Sequence, residues 1–307
     1  FSIPATVNPG YDTTGEKTLL TLNTNLPSGG MNVIIAAFLP TRSVDSVARG
    51  SFFIKKGSTV LRQTYFTDEL FNLAYQRSKP VMLIAVDDSP TGNDSYVFGI
   101  NVTTTGSTAD VHVQGIVVKT NDVVEAANTT AVNVAAGATT TIVSVSKNYA
   151  AATKVVALAY FYARPSSGRG DFAPGNIKLK LDNTVVASNQ FAVGYYHDWN
   201  VARISLAWAG EVSSGTHTWS VELTNNTAYA VNAYAIVVVF AVEDAVFLDT
   251  GSVSLPVNTE VTVGSLTTSL SGNIAAIALA AAEVPSSYAR FESADVIFRS
   301  ADREVYN

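Results

Sequence analysis

The chain contains no cysteine, which excludes a disulfide scaffold, thiolate metal sites and a thiol nucleophile. Charge is scarce as well: 14% of the 307 residues are charged, against about 25% in ordinary globular chains. The net charge is −6 and Lys and Arg are scattered, with no basic stretch interleaved with aromatics, so no nucleic-acid surface is expected. Long apolar runs are missing too. Ile274 to Ala282, among the longest, is too short to cross a bilayer as a helix. No Gly-rich phosphate loop, zincin motif or paired acidic signature is present. These absences predict no catalytic centre, no cofactor and no metal.

Apolar residues make up 47% of the chain, ample for real cores and too many for a disordered segment. Asn, Thr and Ser take much of the surface role usually left to Lys and Glu. The first residues, Phe1-Ser2-Ile3-Pro4, lack an initiator Met, for which removal of a signal peptide is one explanation and missing leading residues another. Four sequons, at Asn93, Asn101, Asn128 and Asn225, lean toward export and are glycosylation candidates. In a chain this rich in Asn and Thr, some would arise by chance.

The strongest signal is internal repetition. Phe98, Ile100 and Val102 in the stretch Ser95–Thr103 fall on Trp219, Val221 and Leu223, each 121 positions later. Ile116 and Val117 fall on Val237 and Val238 at the same offset, and Val132 falls on Val253. Val155–Ser167 parallels Ile274–Ser287, with Asn32–Pro40 at the same stage of the first unit. The repeat implies units of about 120 residues, at 1–125, 126–250 and 251–307. The last has the first half of the pattern only. Further residues, a neighbouring subunit or the N-terminal segment would have to complete it, since half a sandwich exposes core face and unpaired edges; the first two completions are favoured about equally.

Each unit reads as β. Ile177–Leu181 and Trp219–Leu223 alternate with period two, as half-buried strands must. Tyr234–Val242 is dense in β-branched and aromatic residues, like a central strand. Turn signals at about ten-residue spacing then predict an all-β chain of tandem antiparallel β-sandwich domains, jelly-roll or immunoglobulin-like. Two stretches lean the other way. Thr67–Tyr75 has the cap and spacing of a short helix. The alanines of 274–282 favour helix locally, and their repeat partners argue for strand.

Few residues offer chemistry. His112 and His217 read as lying in corresponding regions of successive units, in structural or surface roles. His197-Asp198-Trp199, after Tyr195-Tyr196, is the best-furnished stretch, although adjacent strand residues point to opposite faces. It reads as a packed aromatic cluster. The acidic turn Asp87–Asp94 has oxygens that suit calcium but not the spacing of a standard calcium loop, and it reads as solvated. Trp219 and Trp208 read as core, leaving Tyr195, Tyr196 and Trp199 as the ligand-facing aromatics.

Tandem sandwiches, low charge, sequons and an incomplete last unit point to a structural subunit of an extracellular multimeric assembly such as a surface filament. A virion turret, spike or capsid-associated protein is the first alternative, and a carbohydrate- or cell-binding adhesin the second. In its Asn/Thr/Val/Ala-rich style and sandwich architecture the chain resembles the β-sandwich surface-filament and turret-like virion proteins of hyperthermophilic archaea. That resemblance implies copies of the same chain as partners, joined by strand complementation, with glycans as further partners. It implies a place outside the cell, at the cell surface or on a virion. No residue maps from it.

Overall fold

The computed structural model describes residues 5–7, 15–43, 49–64, 68–69, 81–104, 109–166, 173–193, 202–248, 261–267, 269, 277, 298–300 and 303–306. Among them there is no helix. The first unit contains β1 (Ala5–Val7), β2 (Gly15–Asn23), β3 (Met31–Ser43), β4 (Arg49–Lys56), β5 (Thr59–Gln63), β6 (Asp68–Glu69), β7 (Val81–Asp87), β8 (Ser95–Thr104) and β9 (Ala109–Thr120). The second contains β10 (Val123–Ala127), β11 (Val132–Val134), β12 (Thr139–Tyr149), β13 (Thr153–Pro165), β14 (Ala173–Leu181), β15 (Thr184–Val193), β16 (Ala202–Val212), β17 (Gly215–Thr224) and β18 (Val231–Ala241).

Pairing within each unit is nested and antiparallel. β1 pairs with β9, β2 with β8, β3 with β7 and β4 with β5. The second unit repeats this with β10 on β18, β12 on β17, β13 on β16 and β14 on β15. The resulting sheets, β1-β9-β3-β7 over β2-β8-β4-β5 and β10-β18-β13-β16 over β12-β17-β14-β15, are those of a rolled-up eight-stranded hairpin. This is the jelly roll, and it resolves the choice left by the sequence. The repeat is visible in the cores: Phe98 and Trp219 occupy equivalent strands and both are fully buried. Gly115 on β9 leaves room for the Phe98 ring, where a Cβ would lie 2.6 Å from a ring carbon.

Glu125 pairs with Val238, so β10 lies in the sheet of the second unit, and Asn121-Asp122 link it to β9. The helix expected over Thr67–Tyr75 is not formed at Asp68–Glu69, which pairs with β4; Leu70–Tyr75 lie outside the described residues. So does the strand expected over 274–282, apart from Ile277, which is 37% exposed. Near the chain end β19 (Phe298–Ser300) and β20 (Arg303–Tyr306) form a two-stranded antiparallel sheet.

The two jelly rolls share an apolar layer. Along β13, Val155, Ala157, Ala159, Phe161 and Ala163 enter the core of the second unit, while Leu158, Tyr160 and Tyr162 join the core of the first. Along β18, Val237 and Val239 face one way and Ile236, Val238 and Phe240 the other. The sheets containing β3 and β13 are therefore apolar on both faces, which is why their strands read as continuous hydrophobic runs. The stack has four layers, with these two sheets in the middle. Arg62 on β5 donates to Glu125 at 2.6 Å, and the Thr120 hydroxyl donates to the Ala241 carbonyl at 2.8 Å, tying the units at the junction.

Candidate functional site

The acidic turn after β7 is built around a lysine. Lys56 Nζ lies 2.7 Å from Asp87 Oδ2 and 3.0 Å from Asp94 Oδ1, and donates to the Ser89 carbonyl at 2.9 Å. The Tyr96 hydroxyl donates to Asp87 at 2.6 Å and receives a hydrogen bond from the Asn32 amide at 2.8 Å. Asp94 accepts from the Thr91 amide and hydroxyl and from the Gly92 amide. Both carboxylates are buried at 4% exposure, so the expectation of a solvated loop is corrected. The ammonium bridges the two carboxylates. Burial alone would raise the Asp94 pKa; the Thr91 hydroxyl, Lys56 and the two amides overcome it and hold the carboxyl at about 2.

His112 and His217 are not equivalent. His112 lies on β9, whereas His217 lies on β17. His217 Nδ1 is 2.5 Å from Asp182 Oδ2, and Nε2 is 3.1 Å from the Ser213 carbonyl and 3.2 Å from its hydroxyl. A serine, a histidine and an aspartate in a row suggest nucleophilic catalysis. Nε2 is shared between that hydroxyl and the Ser213 carbonyl, and where the ring donates to the carbonyl as well as to the carboxylate both nitrogens carry protons and the ring ties two turns together. It clamps the β16–β17 turn to the β14–β15 turn, where Asp182 and Asn183 have φ of 49° and 68°.

The Asp182 hydrogen bond raises the His217 pKa above its ordinary value, outweighing burial. For Asp182, burial is outweighed by the Thr218 amide and His217, and its pKa falls. The histidine contribution is complete below its unfolded pKa, about 6.5, and is lost as pH rises through the folded value; that of the aspartate is present above about 4 and is lost as pH falls. Asp182→Asn keeps a side chain that tolerates positive φ. Its melting temperature should trail the wild type most between about pH 4 and 6.5 and converge as pH rises through the raised folded pKa of His217. A pH-independent gap across that range would refute the clamp.

The sequons divide by geometry. Asn225 has no exposed surface; its amide donates to the Val134, Ala135 and Tyr229 carbonyls, and its oxygen accepts from the Thr227 amide and hydroxyl. Asn128 donates to Thr130 and Ala233 and accepts from the Ala235 amide. Both side chains pin turns in the folded chain, Asn225 fully buried and Asn128 half-buried. Asn101 sits half-buried within β8, and Asn93 is exposed in the turn before it. Trp219 is core, with Trp208 5.4 Å away between ring centroids. His197, Asp198, Tyr195, Tyr196 and Trp199 lie outside the described residues.

Two features were not singled out from sequence. Arg203 on β16 stands across from Tyr162, its Cζ 5.8 Å from that ring. Strand parity sends Ile204, Leu206 and Trp208 into the second core and Arg203 to the shared layer; the alternation in Ala202–Trp208 was the available signal. The other feature is apolar exposure beyond β18. Six of the nine large hydrophobics exposed among the described residues follow it: Val246, Phe247, Leu248, Val263, Leu266 and Ile277. Three of them, Val246, Phe247 and Leu248, are consecutive.

Fold and geometry together define a protein of two fused jelly rolls. No family model matches the chain, and no curated protein does. Among solved structures it is similar to PNGF-II, at 11% identity and a TM-score of 0.36, over 80% of this chain and 66% of that one. It thus spans just under two thirds of the PNGF-II chain. It is also similar to the protein of infectious bursal virus derived T=1 particles, at 10% identity and a TM-score of 0.26, covering 77% of this chain and 70% of that one. The CBM22-1–CBM22-2 tandem domain of Xyn10C from Paenibacillus barcinonensis aligns at 11% identity and a TM-score of 0.21, over 73% and 83%. Likenesses at this level carry no function across.

Proposed function

We propose that this chain is a non-catalytic structural subunit of an extracellular multimeric assembly, joined to its neighbours through the segment that follows β18. The observation that carries this reading is the exposure of Val246, Phe247 and Leu248, at 44%, 37% and 44%. By the repeat, this stretch is the third counterpart of β10, whose residues pair with β18. A stretch with exposed apolar side chains and no sheet partner among the described residues is suited to strand addition on another copy. A filament at the cell surface is the preferred form, with a virion turret or spike next. The adhesin reading rests on Tyr195, Tyr196 and Trp199 alone.

Sedimentation of the purified chain, followed by electron microscopy, tests the reading. The wild type should assemble, and Phe247→Asp combined with Leu248→Asp should yield monomers whose melting temperature shifts by less than about 2 °C, because exposed positions contribute little to the fold. A wild type that stays monomeric at high concentration, or a double variant that assembles as before, would sink it. Particle shape then separates filament from turret.

A further inference from the structure

The two jelly rolls differ along one sheet edge. In the second unit β10 runs antiparallel on β18, with Val123, Val124, Glu125 and Ala126 opposite Phe240, Val239, Val238 and Val237. Those four β18 residues are buried, at 2% exposure or less. In the first unit the same repeat positions are Lys119, Val118, Val117 and Ile116 on β9, each 121 residues earlier. β1 pairs only with Val111, His112 and Val113. Among the described residues, then, β3 lies on one side of residues 116–119 and no strand lies on the other. All four are half-buried, and the three apolar ones pack against the first core while staying partly open to solvent. An edge strand that is absent leaves such an edge.

The chain carries another copy of the covering strand. Moved by 121 positions, β10 falls on residues 244–248, where Val246, Phe247 and Leu248 are exposed. Laid on β9 in the register that β10 takes on β18, this segment puts Asp244 opposite Lys119, Val246 opposite Val117 and Phe247 opposite Ile116. The outer pairs match in kind, a carboxylate with an ammonium and an aromatic ring with a β-branched side chain. Lys119 donates to the Pro27 and Gly29 carbonyls, and no carboxylate meets it among the described residues. Asp244 meets Lys154 at 2.8 Å in an exposed pair, which is exchanged at little cost.

We propose that residues 244–248 of one copy add as an edge strand to β9 of a second copy, antiparallel and with Phe247 opposite Ile116. This rests on the reading that the segment after β18 joins subunits, and it names the surface that receives the segment. Donor and acceptor are different surfaces, so each copy gives to one neighbour and takes from another. Such a head-to-tail contact builds a ring where its rotation closes and a filament where it does not.

Because the chain has no cysteine, introduced thiols report the register directly. Full-length Phe247→Cys and Ile116→Cys chains are mixed and oxidised, and so are Val246→Cys and Val117→Cys. Successive antiparallel pairs alternate in Cα separation, so two pairs sample both geometries. At least one mixture should yield a disulfide-linked heterodimer in at least about tenfold excess over Phe247→Cys mixed with Val185→Cys, an exposed site on β15, because docking raises the local thiol concentration. The crossed mixtures, Phe247→Cys with Val117→Cys and Val246→Cys with Ile116→Cys, should not link, since neighbouring strand residues point to opposite faces. The melting temperature of each reduced variant checks its fold, and either pair alone suffices if the other misfolds. Equal yields in the crossed mixtures, or Phe247→Cys chains that link mainly to one another, overturn the proposal. So does a monomeric chain with both Phe247→Cys and Ile116→Cys that oxidises within itself, which gives the edge to its own segment. Linkage that appears only once residues 1–4 are deleted gives the edge to the chain's own start and overturns it too. If no mixture links although Phe247→Asp with Leu248→Asp abolishes assembly, this proposal fails and the segment joins subunits elsewhere. A wild type that does not assemble sinks both.

Discussion

Leu158→Asp should cost about 5 kcal/mol and divide a single unfolding transition into two. Leu158 is fully buried at the centre of β13, between Ala207 on one neighbouring strand and Val238 on the other. Its side chain faces the first jelly roll, in the layer the two units share. An aspartate there has no cation on either paired neighbour and would be forced either to hold an uncompensated charge or to take up a proton at an unfavourable pH. The loss of a buried leucine adds about 2 to 3 kcal/mol. The second unit keeps its own core, including Trp219, Val221 and Leu223, on the other side of the same sheet. The shared layer should therefore fail first, followed by the separate jelly rolls. Scanning calorimetry decides the point, with Leu158→Ala as a milder control that keeps one transition at a lower temperature. A Leu158→Asp chain that melts in one step within about 2 °C of the wild type would show that the layer does not couple the units.

The parts of this architecture that were legible in the sequence are those written in local periodicity. Trp219–Leu223 alternates because β17 has one buried face, and the Phe98–Trp219 offset is visible because both rings fill equivalent core positions. Jelly-roll nesting was not legible, since which strands pair across a hundred residues is decided by the roll and not by any one strand. The nine-residue run from Tyr234 to Val242 read as a central strand. That both its faces are covered by different units, rather than by one, is a property of the pair of sheets. The tandem units expected from the sequence are packed side by side through the shared layer.

The chemistry was less legible still. Asp87 and Asp94 look like a cation loop because their partner, Lys56, is 31 residues away from the nearer of them. Sequons at Asn128 and Asn225 obey a three-residue pattern that says nothing of burial, and the side chains that satisfy the pattern are pinning turns. His112 and His217 looked equivalent by rough position and lie on different strands of the roll. Arg203 was hidden by its neighbours: in a strand of apolar residues a single charge is easily taken for solvent-facing, yet here both faces are covered.

Lys56→Met should be the second large loss, about 3 kcal/mol at pH 7, through the carboxylates it strands rather than through the methylenes it keeps. In the wild type the ammonium neutralises two carboxylates that burial would otherwise penalise, and burial would depress the Lys56 pKa were Asp87 and Asp94 not raising it. Tyr96 belongs to the same network; burial and then Asp87 drive its hydroxyl pKa well above the usual phenol range, so it stays a donor. With the ammonium gone, Tyr96 and the Thr91 and Gly92 amides still solvate the oxygens, but nothing cancels the charge. The pH dependence gives the cause away. Because the folded Asp94 pKa is depressed from 3.8 to about 2, its contribution is present above about 4 and disappears as pH falls through about 2. The variant can relieve its burden by taking up protons at a higher pH than the wild type does. The stability gap should thus be widest near neutrality and shrink steadily as the pH falls from about 5 toward 2. Urea unfolding across that range measures it directly. A gap under about 1 kcal/mol at pH 7, or one that stays constant down to pH 3, would mean that the two carboxylates are satisfied without the lysine and that the turn is held by its amides alone.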